Sequence, residues 1–586
     1  MLPDHAFEYT AFRDVRTIVD RRFSYPLTAT NFVLSRPAAL GANLGNNYSD
    51  RGGRAKIGRY AVRFGDDFAL SALFGKSTKN ASNRSEASSQ PYILNQSTSQ
   101  VLRGVASVTN DRDTRKAHWV DGRYDFTLRG ISHRVRFGYD WEDNTAHPVN
   151  QYSGGGVAYV YQTYTGGALT NNATPPAGTT QIAQVLNFRV GGDFRVITGA
   201  FYAEDSIRLL SDRLTATAGL RSESFDSRNG QDQTFIKMRD RYAPRFSAAY
   251  DVGGDGRSKL RASAGRYLLQ IPAMASILMA GAQTYYWDYF VLNSIGPNGA
   301  ANLGPQVGSR VTIANGAVPD AASIVNANIA PMAQDEFSIG YERTLGKLWK
   351  WGVAATYRDL QQVVEDATID AALLKYAKAR GYTRFAAGGS DYYALTNPGK
   401  PVAVAINLGE DANKDGVVNK QDQGADVTKE KVLLTGADLG LPPAVRKYFS
   451  VAFKLDRVSD GKWFGQGSYV WLHSYGNYEG TVYSEIGQRE GITSLFDQPG
   501  LTDGTFGDLP NDRRHVFKVN GGYHLTKQFL VSGNASAQSG RPISALGLYP
   551  TDAFARANGV LSRYVGGGLF PRGAGVERRG SRPSVR

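Results

Sequence analysis

Between Ala117 and Glu142 the chain alternates apolar and polar positions in two successive runs. Tyr124, Phe126 and Leu128 alternate with Arg123, Asp125 and Thr127. After the break Arg129-Gly130-Ile131, the residues Val135, Phe137, Tyr139 and Trp141 alternate with Arg134, Arg136, Gly138 and Asp140. A period of two puts the apolar groups on one face of a strand and the polar groups on the other. Each arm is about ten residues long, the length a tilted strand needs to cross a bilayer. The apolar face is aromatic and the opposite face carries charges of both signs. The pattern predicts a membrane hairpin rather than part of a soluble sandwich.

The same unit recurs. Gly65-Asp66-Asp67, Leu210-Ser211-Asp212, Gly254-Asp255-Gly256, Gly346-Lys347-Leu348, Ser459-Asp460-Gly461 and Thr526-Lys527 each separate two alternating runs, as hairpin turns do. Between these hairpins lie long stretches rich in Gly, Ser, Asn and Thr: 78–116, 143–194, 271–334, 365–446 and 476–514. Short turns alternating with long loops match outer-membrane barrels, whose turns are periplasmic and whose loops are extracellular. The predicted fold is therefore an all-β antiparallel transmembrane β-barrel of about 15–16 strands, including a possible first strand near His5 to Val19. On this reading residues 1–53 form an N-terminal segment, 54–545 the barrel, 365–446 its longest outer loop, and 546–586 an irregular tail. Trp349, Trp351 and Trp463 fall beside short turns, while Trp119, Trp141 and Trp471 fall toward the long loops. Two interfacial girdles would place them so, although ordinary core aromatics remain an alternative.

Composition agrees. The 586 residues include 66 Gly, 32 Tyr and 27 Phe, yet only 41% are hydrophobic, because alternate barrel residues alone meet lipid. The longest apolar stretch, Leu268 to Ala282, is interrupted by Gln270 and Pro272, so no transmembrane helix is predicted. The net charge is +14, but Lys and Arg are scattered among Asp and Glu without any nucleic-acid-binding motif, so no nucleic-acid partner is predicted. Cysteine is absent, which suits an oxidising compartment. Met1 to His5 lacks the basic and apolar regions of a secretory signal, so the chain reads as part of a longer protein.

Several runs resemble the barrel of TonB-dependent receptors of the Oar-like branch. They are Ala243 to Asp251 (APRFSAAYD) with Ala264-Gly265-Arg266-Tyr267, Ser474 to Gly480 (SYGNYEG), Asn511 to His515 (NDRRH), and Gln538 to Pro542 (QSGRP). The resemblance runs from about residue 54 to 575. It implies a 22-stranded barrel in the bacterial cell outer membrane, an N-terminal plug and an energising segment that engages TonB. By that standard the chain is a fragment without its plug and its last strands, and it would meet the TonB complex only through that absent plug. The implied function is receptor and transporter barrel for uptake of an unknown nutrient, with no enzymatic activity. A passive outer-membrane channel is one alternative. An outer-membrane structural or adhesion protein with calcium-ordered surface loops is another, and a soluble secreted β protein a third.

One local motif carries chemistry. From Asp411 to Asp422, oxygen-bearing side chains stand at positions 1 (Asp411), 3 (Asn413), 5 (Asp415), 9 (Asn419) and 12 (Asp422). Gly416 occupies position 6 for a sharp turn, and Val417 at position 7 offers its carbonyl. This is the spacing of an EF-hand calcium loop, with Asp in place of the usual Glu at the end. It predicts a single structural Ca²⁺ clip within the 365–446 loop; a solvated Asn/Asp/Gly turn is the alternative. None of the seven histidines has metal-site spacing, and no nucleophile elbow or phosphate loop is present. Arg123, Arg134, Arg136, Glu336, Glu342 and Lys454 fall on the polar strand face, where they would contact a plug or substrate or simply pair along a wet wall. Tyr285 to Phe290 (YYWDYF) would either stack on a ligand at the mouth or pack a loop against itself.

Overall fold

The computed structural model describes residues 4–23, 43–424, 426–484, 491, 493–502 and 505–543, with short pieces at 546–548, 553–557, 565–568 and 584–585. Met1 to Pro3, most of the tail after Leu548 and the arginine-rich run from Pro571 to Pro583 lie outside the described residues.

Fifteen strands form one antiparallel meander: β1 (His5–Phe23), β2 (Asn43–Phe64), β3 (Phe68–Ser85), β4 (Val108–Leu128), β5 (Ile131–His147), β6 (Phe194–Leu209), β7 (Leu214–Arg228), β8 (Thr234–Asp251), β9 (Ser258–Leu269), β10 (Met332–Leu345), β11 (Trp349–Gln362), β12 (Arg446–Arg457), β13 (Trp463–Gly476), β14 (His515–His524) and β15 (Leu530–Gln538). Each of the first fourteen pairs with the next, most of them along nearly the whole strand, whereas β8 and β9 pair only from Arg245–Gly265 to Asp251–Lys259 and β13 meets β14 only from Trp463 to Trp471. Among the described residues, β1 pairs only with β2, and β15 pairs with β14 and the two residues Ser584–Val585. Among the described residues, no helix is long and apolar enough to cross a membrane.

The register fixes which side chains share a face. Tyr60, Ala72, Val120, Tyr139 and Phe201 lie in one row across five strands. Phe201 is 66% exposed, Phe246 56% and Phe337 52%. Large apolar groups this exposed are not packed between two sheets, so the oily face of the wall points outward. Five of the six girdle tryptophans share this face. Trp349 meets Trp463 edge-on at 5.7 Å beside a short turn, and Trp141 stacks on His118 at 4.5 Å. Trp119 is the exception: it pairs with Leu73 and Asp140, one position off the Val120 row, and so faces inward.

The strands run further than hydropathy predicts. β2 begins at Asn43, ahead of the boundary at residue 54, and β3 and β4 pair through Thr78–Thr114 up to Asn83–Thr109. Nearly half of the stretch assigned to the 78–116 loop is therefore wall. Above the membrane both strand faces meet water, so the ladder continues without any hydropathy alternation to reveal it. The loop between β7 and β8 is also short, only Asn229 to Gln233, where Asn229 accepts the Gln231 and Gln233 N–H groups.

Candidate functional site

The long connections are not structureless. Those after β9, β11 and β13 condense round one apolar core that includes Ile369, Leu373, Leu395, Ile406, Tyr478 and Phe496, all nearly inaccessible. The same core takes in Phe225 of β7, Met238 of β8, Met332 of β10 and Leu360 of β11, so it sits on the upper rim of the wall. The helix Asp370–Ala379 buries Leu373 and Ala377 against it. Two short hairpin sheets, Glu365–Thr368 with Tyr393–Thr396 and Val402–Ile406 with Glu430–Leu434, complete this cap.

At the base of the cap, Glu365 is wholly buried. Its carboxyl accepts the Thr493 N–H at 2.6 Å and the Thr493 hydroxyl at 3.2 Å. Burial pushes its pKa well above the usual range, and Asp366 and Asp497 nearby push the same way. Asp366 carries one enclosed, unpartnered oxygen, and burial raises it to about 7. Asp370 accepts N–H groups from Gly389, Asp391 and Tyr392, each at 3.0 Å, and burial raises it to about 6. These acids carried no sequence signal, since nothing in the run Glu365-Asp366 marks it as interior.

The predicted calcium loop lies in this cap with its polar groups drawn inward. Asp411 accepts the Asp415 N–H at 3.1 Å and the Gly416 N–H at 2.9 Å. Asn413 accepts the Asp415 N–H at 2.9 Å, and Asp415 accepts the Val417 N–H at 2.9 Å. Asp422 is fully buried and accepts from the Asn413 and Asn419 amides at 3.1 and 2.9 Å. Asn419 accepts the Gln421 N–H at 2.8 Å, capping the closing turn. Gly416 has φ +92°, which favours glycine at this position. Val418 at position 8 is buried and pairs its backbone with Arg384 and Ala386, where a two-loop calcium protein would use its second loop. The donor set is all oxygen and suits a hard divalent cation. The Arg384 guanidinium stands 3.3 Å from Asp411 and opposes such an ion.

The inner face carries paired charges. Arg123 and Arg134 both reach Asp125, at 3.1 and 2.7 Å, and Arg136 reaches Glu204 at 3.6 Å. Arg358 pairs with Glu336, Lys350 with Glu342 at 3.0 Å, and Lys454 with Asp456 at 3.0 Å. All six residues singled out on the polar face therefore have an opposite charge beside them. Tyr285 to Phe290 is not loop but part of a central strand, Thr284–Ile295, paired with Gln181–Val190. Its rings pack against neighbours: Tyr285 meets Phe188 edge-on at 5.5 Å and Trp287 at 5.5 Å. One metal-like cluster missed from sequence joins His473, Asp508 and Asp512, but the Arg514 guanidinium bridges both carboxylates, at 3.1 and 2.7 Å, and supplies the positive charge there.

The chain matches no family model. It is 25% identical over 460 residues to the TonB-dependent transporter Oar of Myxococcus xanthus, an alignment covering 73% of this chain and 36% of that protein. The chain thus spans little more than a third of that relative's length. Its fold superposes on the outer membrane transporter YddB from Escherichia coli with a TM-score of 0.51 at 10% identity, covering 94% of this chain and 57% of that one. FpvA of P. aeruginosa, solved bound to heterologous pyoverdines, superposes with a TM-score of 0.45 at 10% identity over 93% of this chain and 54% of its own. Oar and YddB are both described as transporters. With its oily face outward and such a relative along most of its length, the chain is an outer-membrane β-barrel protein akin to the TonB-dependent receptors.

Proposed function

We propose that this chain forms wall and outer cap of a TonB-dependent receptor that takes up a nutrient across the outer membrane. The observation that carries the reading is the juxtaposition of a lipid-facing meander with a folded cap on its long-loop rim, in a chain similar to Oar. Nutrient would be met by the cap outside and guided along the ion-paired inner face. The test is depletion of nutrients from the medium by the native cell, followed by mass spectrometry. Loss of the gene and loss of TonB should stop uptake of the same compound. Uptake that persists without TonB would instead mark a passive channel.

The loop from Asp411 to Asp422 would hold one calcium ion through the side chains of Asp411, Asn413, Asp415, Asn419 and Asp422 and the carbonyl of Val417. Its role is structural, tying the cap's longest connection together. Extracellular loops of this kind bind with Kd of about 10⁻⁴ to 10⁻³ M, and calcium at a hundredfold excess over Kd stabilises the bound form by about 2.7 kcal/mol. Lys414 and Lys420 make the loop its own reporter, because trypsin cuts after both. Millimolar calcium should slow cleavage at these sites, and magnesium should not. Asp411→Ala should remove the protection. Equal cleavage in calcium and in chelator would rule the ion out.

A further inference from the structure

The outward face of the wall ends upward in a row of cations. Lys56 of β2 lies opposite Lys76 of β3, and Lys76 lies opposite Lys116 of β4. Directly opposed residues on one sheet face stand about 5 Å apart, and like charges so placed repel. One step higher, Arg13 of β1 faces Arg54 of β2. All five side chains are exposed. Among the described residues, no ion pair neutralises Lys56, Lys76 or Lys116. The acid at the end of their row is Asp143, opposite Lys116, and Arg195 already holds it at 2.9 Å. The chain thus keeps three adjacent lysines together with one acid, Asp143, beside the last of them and shared with Arg195, whereas on the inner face each of the cations named has an opposite charge within ion-pair distance.

Their height is informative. The row immediately below consists of Tyr9, Gly58, Phe74, His118 and Trp141, the upper aromatic girdle. Below that come Tyr60, Ala72, Val120 and Tyr139, and the lowest row is Phe64, Phe68 and Tyr124 beside the short turns. From Phe64 to Lys56 is eight residues, about 26 Å along a strand and about 20 Å in height after a tilt of about 40°. An outer-membrane apolar band is about 25 Å tall. The lysine backbone thus stands within about 5 Å of the upper edge of that band, on the side that touches lipid, and the long side chains snorkel from there to the headgroups of the outer leaflet.

We propose that Lys56, Lys76 and Lys116, with Arg54 and Arg13 above them, bind the phosphate groups of a phosphorylated glycolipid headgroup in the outer leaflet. A phosphate bridging two adjacent ammonium groups turns their repulsion into charge-assisted hydrogen bonds. The lipid's acyl chains continue down the apolar rows beneath, so headgroup and tail meet chemistry of their own kind. A soluble phosphate would gain the first contact but not the second. The inference rests on the barrel's orientation in the membrane and not on transport.

The test is native mass spectrometry of the detergent-solubilised full chain with diphosphoryl lipid A, with phosphatidylethanolamine and with inorganic phosphate. The native chain should retain lipid A far better than phosphatidylethanolamine, and millimolar inorganic phosphate should not displace it. K56Q/K76Q/K116Q should weaken lipid A retention at least about 50-fold, and K76Q alone about fivefold, from the contribution of each surface lysine near an anionic leaflet. The equal charge change in the short turns, K347Q/K462Q/K527Q, should leave retention unchanged. Should the triple glutamine variant fail to fold, K76Q and a charge-preserving triple arginine variant, which should keep the lipid, decide the matter. Unaltered retention in K76Q, equal loss in the turn variant, or displacement by inorganic phosphate would overturn the proposal.

Discussion

Replacing Phe201 by arginine should destabilise the membrane-embedded chain by about 2–4 kcal/mol, the depth-dependent cost of a cation on the lipid face near mid-bilayer. Phe201 lies in the central outward row, packs against Tyr139 at 4.5 Å and is otherwise open. No carboxylate shares its row, so an arginine there would have only lipid or a strained path to the interface. Ser247 provides the control, because it lies on the inner face in a polar row with Ser206, Thr217, Ser263 and Ser338. Ser247→Arg should cost less than about 1 kcal/mol, since water reaches that side. Urea unfolding in lipid vesicles measures both. Equal costs for the two arginines would show that the faces do not differ in solvent.

The second large effect concerns acidity. Glu365 is buried with neutral donors from Thr493, while its charged neighbours Asp366 on the same strand and Asp497 on the opposing loop are acids. Tyr478 stands beside it. The nearby Arg446 points its guanidinium at the Glu479 carbonyl and the Gln334 side chain. The hydrogen bonds from Thr493 and Tyr478 favour the ionised form, but burial outweighs them, so Glu365 is held protonated where the cap is closed. Its closed-state pKa is raised, so its contribution is fully present below about pH 4.5 and is lost as pH rises toward the closed-state value. Across that window one proton is released on opening, and the opening equilibrium grows about tenfold per pH unit. Hydrogen exchange at the Thr493 amide, corrected for intrinsic rates, reads this directly. Glu365→Gln keeps an acceptor for Thr493 and should flatten the slope. Glu365→Ala leaves the Thr493 donor unpaired and should expose the amide at every pH, at a cost of about 1–3 kcal/mol. A slope that persists in the glutamine variant would assign the proton elsewhere, with Asp366 the next group to replace.

What the sequence made legible was whatever repeats locally. The alternation from Tyr124 to Trp141 requires only the pleat of a strand and the contrast between lipid and lumen, so it gives strand, turn and outward face together. The Asp411 to Asp422 spacing is equally local, and the turn it describes is present in the structure. Three things were hidden because they depend on register or on tertiary burial. The upper parts of β3 and β4 are polar on both faces, so Thr78 to Ser85 looks like loop until its ladder to β4 is seen. The cap is assembled from connections far apart in sequence, so the burial of Glu365 by Thr493 has no local signature. Lys56, Lys76 and Lys116 are unremarkable singly, and only the pairing of β2, β3 and β4 makes them one row. Trp119 was misplaced for the same reason, since proximity to a girdle does not say which face a residue takes.

The most direct test of the account is a cysteine scan along β7, which this cysteine-free chain makes clean. A nitroxide at each position from Thr215 to Glu223, in lipid vesicles, reports contact with oxygen, which concentrates in lipid, against a water-soluble nickel reagent. The account predicts strict alternation: Ala216, Ala218, Leu220 and Ser222 favour oxygen, while Thr215, Thr217, Gly219, Arg221 and Glu223 favour nickel or neither. Oxygen contact that is uniformly low, in a particle that stays in water without detergent, would contradict the outward oily face and the membrane barrel with it.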